Sequence, residues 1–173
     1  FQTTVELNLN TVIPMAAISK DGEDMKIISL GEIAGTTVDK IFTGGRYQDF
    51  QGSLNILRGY QAGRSVQVYL TPASQTVFSD LINQGIAGIY LDLGFEIIPA
   101  CFFRALKEGV GIYTENITVL TSSPTLFHSA IHTRRHHVIF ASIPACFAAA
   151  VQGKILHPRQ IVEEGRRAGQ TRI

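Results

Sequence analysis

The sequence predicts an α/β domain with a largely parallel sheet. Short apolar stretches of strand length alternate with amphipathic patterns of roughly 10–15 residues, the rhythm of strand–helix–strand units. A glycine stands where most of the helical patterns should stop (Gly59, Gly85 and Gly153). The stretches read as strands run out into turns rich in Thr, Ser, Pro and Gly, the residues that set turn geometry.

In chain order, Val5, Leu7 and Leu9 alternate with polar residues, which predicts a half-buried first strand. Residues 19–24 are polar and read as a turn; residues 29–35 read as a short element stopped by Gly35. Residues 38–42 form the first apolar strand. Phe50, Leu54 and Leu57 then mark one face of a helix that Gly59 should end. Residues 65–70 read as a strand with Val66, Val68 and Leu70 on one face. Ser74 is placed to cap a helix burying Val77, Phe78, Leu81 and Ile82, closed by Gly85. Residues 95–98 read as a strand and 101–107 as a short helical piece. Residues 117–120 and 138–141 read as two more strands, and 145–152 as an alanine-rich helix stopped by Gly153. Pro158 suits the first position of a last helix.

The 173 residues suit one domain, residues 1–173, with enough chain to bury a core. Hydrophobic content of 45%, charged content of 17% and a net charge of +1 describe an ordinary globular chain. They give no reason to expect nucleic acid as a partner, and no apolar run approaches the roughly 20 residues of a membrane span. Two cysteines, Cys101 and Cys146, make no disulfide framework, which leads us to expect a reducing, cytoplasmic setting. Phe1 to Thr4 lack the basic start of a secretory signal. A first residue of Phe rather than Met suggests a fragment, a processed chain or a single domain taken from a longer, multi-domain protein.

In open parallel sheets, ligands gather beyond the carboxyl ends of the strands. Those ends are Thr43-Gly44-Gly45, Thr71-Pro72-Ala73-Ser74, Pro99-Ala100-Cys101, Thr121-Ser122-Ser123 and Ala141-Ser142. A site should therefore be built from these turns. No Gly-x-Ser-x-Gly elbow surrounds Ser122, Ser123 or Ser142. Gly44-Gly45 ahead of a helix suggests a phosphate cradle but lacks the full glycine spacing and the Lys-Ser/Thr pair, and so reads as a shortened turn. Asp49 and Asp92 are isolated and read as capping or solvated carboxylates.

The ordered succession of these turns resembles the aconitase/3-isopropylmalate dehydratase large-subunit family, in its C-terminal iron–sulfur domain. Val5 to Leu9 and Gly31-Glu32-Ile33-Ala34-Gly35-Thr36 match the approach to the family's first cluster motif. There, Thr43-Gly44-Gly45-Arg46 stands in place of a Gly-Ser-Cys-Thr-Asn-Gly-Arg stretch. Pro99-Ala100-Cys101-Phe102-Phe103-Arg104 matches a Pro-Gly-Cys-Gly-x-Cys turn, with Cys101 at the first cysteine and Arg104 at the second. Thr121-Ser122 matches the start of a Thr-Ser-Asn-Arg-Asn-Phe segment, and the stretch from Ala141 to Arg159 matches the family's closing helix.

The resemblance implies a three-layer α/β/α fold with a mostly parallel sheet and descent from hydro-lyases that act on hydroxy acids. The family's cluster needs three thiolates. Here only Cys101 matches a metal-ligand position, and Cys146 lies in an apolar helix where a thiol packs as a small hydrophobe. The expectation is therefore no cofactor in this chain, or else a cluster held jointly with other domains. Partners would be further domains or subunits of an aconitase-type assembly, with a small hydroxy acid as ligand. The implied ligand-binding wall comprises Gly44, Gly45, Ser74, Ser122 and Arg134; no catalytic residue is assigned. The alternative is a non-enzymatic binding or scaffolding module that kept the fold and lost the cluster.

A separate pattern is His128, His132 and His136, spaced i, i+4, i+8. On one continuous helix they would share a face and suit zinc. Against this, the run leads straight into the strand at Val138, and Arg134 and Arg135 would repel a cation. Structural or surface histidines are the simpler reading, with an anion site around Arg134 and Arg135 as a further alternative.

Overall fold

The computed structural model describes residues 5, 6, 8, 11–20, 24–57, 66–98, 116–130, 136–157 and 160. They build a seven-stranded sheet in the order β2-β1-β7-β6-β3-β4-β5. The strands are β1 (Met15–Lys20), β2 (Lys26–Ser29), β3 (Lys40–Gly45), β4 (Gln67–Pro72), β5 (Glu96–Ile97), β6 (Ile117–Thr121) and β7 (His136–Phe140). The helices are α1 (Tyr47–Leu57), α2 (Gln75–Asn83), α3 (Ile86–Asp92), α4 (Pro124–Ala130) and α5 (Ile143–Gln152). β3 to β7 are mutually parallel; β1 joins β7 antiparallel and pairs with β2 as a hairpin. The expected mostly parallel α/β sheet is present.

Both sheet faces are covered, as a parallel sheet requires. On one face Ile41, Val68, Leu70, Leu120 and Ile139 pack with Phe50 and Leu57 of α1, Leu81 of α2, Tyr90 of α3 and Phe147 of α5. On the other, Phe42, Tyr69 and Val119 meet Leu126 of α4, and Val138 meets Phe127. The side-chain period of two along each strand produces this division, and Val66, Val68 and Leu70 share one core as their spacing predicts. An aromatic group anchors the first face: Tyr90 and Phe147 have ring centroids 5.7 Å apart, and the Tyr90 hydroxyl donates to the Phe50 carbonyl at 2.7 Å.

Two helix boundaries follow their sequence signals. Ser74 Oγ accepts the Val77 N–H at 3.2 Å and caps α2. Gly153 ends α5 in the left-handed region at φ 70°. Just beyond it, Gly35 N–H donates to Ile155 O and Val38 N–H to Gly153 O, which ties the end of α5 to the approach to β3.

Other expectations are corrected. Val5, Glu6 and Asn8 lie in no strand, and Val5 is 86% exposed; an alternating pattern forms a strand only where a neighbour supplies the ladder. The first strand is instead β1, whose Ala16 and Ala17 blur the alternation. Gly85 does not end the helical segment. Its left-handed φ of 71° turns the chain so that α3 begins at once. Of the residues expected to be buried on α2, Leu81 is fully buried and Val77 and Phe78 are half-buried. Ile82 is 53% exposed, because it lies about 100° around the helix from Leu81. Gly59, the helical piece at 101–107 and the helix started by Pro158 fall outside the described residues.

Candidate functional site

The site follows from strand order. After β3 the chain moves outward to β4 and β5, then crosses back to β6 on the other side of β3. β3 and β6 therefore flank the point where the winding reverses, where parallel sheets open a crevice beyond their carboxyl ends. A crevice of about 220 Å³ lies there, lined by Gly44, Gly45, Thr71, Pro72, Ala73, Ser122 and Ser123. All seven residues come from the carboxyl ends of β3 and β4 or from the turns after β4 and β6.

Backbone bonds draw these turns together. Ala73 N–H donates to Gly45 O at 2.8 Å, and Ser122 N–H donates to Phe42 O at 3.1 Å. The Thr43 and Ser122 hydroxyls are hydrogen-bonded at 2.9 Å and close the gap between β3 and β6. Ser123 N–H donates to Thr121 Oγ1 at 3.0 Å, and Ser123 Oγ accepts Leu126 N–H at 3.3 Å.

The two glycines are required by close approach. Gly44 pairs with Thr71 in the β3–β4 register, and a β-carbon on Gly44 would overlap the Thr71 carbonyl. A β-carbon on Gly45 would press on the Asp49 carboxylate and on Ile143. Asp49 is a capping residue, as its isolation in the sequence suggests: Oδ2 accepts the Arg46 N–H at 2.8 Å and lies 3.7 Å from Arg46 Nε.

Beneath the crevice, Cys146 is fully buried on α5. Burial pushes its thiol up to about 12, while its hydrogen bond with the Thr43 side chain pulls the other way. Such a thiol is a packing group rather than a ligand or nucleophile. The Thr71 hydroxyl also lies inside the protein, with Thr71 3% exposed, and Oγ1 has no hydrogen-bond partner among the described residues.

Of the residues singled out in the sequence, Gly44, Gly45 and Ser122 meet in the crevice, and Ser74 follows its wall residue Ala73 at the start of α2. Cys101 and Arg134 lie outside the described residues. The histidine series does not share one helix: His128 is exposed on α4 and His136 is buried in β7, while His132 lies outside the described residues. The strand at Val138 starts two residues earlier than expected, and this ends the helical spacing. Thr71 and Ser123 were visible only as members of strand-end turns; what singles them out is hydrogen bonding, which depends on register.

A doubly wound sheet with a small crevice at its switch point is the arrangement in which α/β domains bind ligands. Its sequence relatives give the lineage. The chain is similar to 3-isopropylmalate dehydratase large subunit 2 of Rubrobacter xylanophilus, at 24% identity over 164 residues, covering 92% of this chain and 38% of that protein. It is 26% identical over 160 residues to a probable 3-isopropylmalate dehydratase large subunit of Methanothermobacter thermautotrophicus, covering 90% and 38% of the two chains. For large subunit 1 of Thermotoga maritima the identity is 25% over 166 residues, covering 94% and 40%. No family model matches the chain. These relationships, at 24–26% identity over at least 90% of the chain, support membership of the aconitase/isopropylmalate dehydratase family. It spans about two-fifths of the length of these curated relatives.

Proposed function

We propose that this chain is the crevice-bearing domain of a hydro-lyase-lineage protein that acts on a hydroxy acid within a larger assembly, with an altered site in place of an iron–sulfur cluster. The observation that carries the reading is the match to dehydratase large subunits over at least 90% of the chain, joined to a crevice at the strand ends where the family resemblance puts its cluster motifs.

The donor set does not fit a cluster bound by this polypeptide alone. Iron–sulfur centres are held by thiolates, and the chain has two cysteines. Cys146 is committed to the core beside Thr43. The turn that would carry a ligand is Gly44-Gly45, where a side chain would displace the Thr71 carbonyl or the Asp49 carboxylate. What remains can bind and orient a small ligand: hydroxyls at Thr71, Ser122 and Ser123, with Ser74 at the margin. The sequence adds Arg134 as a charge for the ligand's carboxylate and Cys101 as a single candidate ligand to a metal shared with other domains. No helix among the described residues is long and apolar enough to cross a membrane, and the cysteine usage fits a reducing, cytoplasmic setting.

A second reading, a binding or scaffolding module without turnover, is favoured by the burial of Cys146 and the side-chain-free turn at Gly44. One assay separates the two. The full-length protein, combined with its partner subunits, is tested for dehydration of isopropylmalate by formation of the conjugated double bond. Turnover by the assembly, and none by the 173-residue chain alone, supports the hydro-lyase reading. An inert assembly that still binds the hydroxy acid supports the second, and turnover by the isolated chain contradicts both.

A further inference from the structure

We draw no further inference here: the strongest candidate, the apolar face of the β1–β2 hairpin at the edge of the sheet, where Met15, Met25 and Ile27 are exposed, carries nothing because nothing in the structure shows what covers it.

Discussion

Thr43 Oγ1 and Ser122 Oγ, 79 residues apart in sequence, lie 2.9 Å from each other and fasten β3 to β6 at the point where the winding reverses. Thr43 also hydrogen-bonds with buried Cys146. One hydroxyl thus links the crevice wall, the strand end and α5. Thr43→Val keeps the shape and strands both partners, and should lower stability by about 1–3 kcal/mol. Ser122→Ala removes a partly buried partner and should cost about 1 kcal/mol. Urea midpoints at constant m-value provide the check.

Gly44→Ala should be more damaging than its size suggests. The added carbon would overlap the Thr71 carbonyl, so β3 and β4 must part. Overpacking of this kind costs about 1–3 kcal/mol. Gly52→Ala is the control: nothing lies within 4 Å of a β-carbon there, and inside α1 the change should be neutral or stabilising by up to about 1 kcal/mol. Equal midpoints for the two variants would contradict the close approach at Gly44.

Tyr90→Phe deletes the 2.7 Å bond to the Phe50 carbonyl while leaving the aromatic packing in place. A loss of about 1 kcal/mol is expected, visible as a lower denaturation midpoint. Tyr90→Ala, which opens the core among Phe50, Phe95 and Phe147, should cost about 3–5 kcal/mol.

The alkaline limb of the stability curve should report Cys146. Its thiol is pushed from an ordinary 9.0 to about 12 by burial, so the folded state keeps a proton that the unfolded chain releases. The stabilisation is complete below pH 9 and is lost as pH rises toward 12, at up to about 1.4 kcal/mol per pH unit for one proton. Tyr90, also raised by burial, adds to the fall at the upper end of this range. Cys146→Ala should flatten the slope above pH 9 by nearly one proton. An unchanged slope would mean that the thiol is not buried.

Much of the scaffold was legible because local and tertiary signals agree there. Val66, Val68 and Leu70 alternate and share one core, Ser74 caps α2, and Gly153 stops α5. The failures occur where tertiary context decides. Val5 alternates correctly but gains no ladder, and Gly85 redirects the chain rather than ending the helical segment. Of the residues expected at the strand ends, the structure gathers Gly44, Gly45 and Ser122 into one crevice. The Thr43–Ser122 bond and the burial of the Thr71 hydroxyl could not be read in advance, because both depend on the β3–β4–β6 register.

The central proposal is that this chain keeps a dehydratase-like scaffold with the turn at Gly44-Gly45 closed to thiolates. The most direct measurement is iron and acid-labile sulfide content, with the visible spectrum, of the 173-residue chain after anaerobic reconstitution. The account predicts a colourless protein without stoichiometric iron. A full complement of iron and sulfide bound by this chain, with the visible absorption of a cubane cluster, would contradict it.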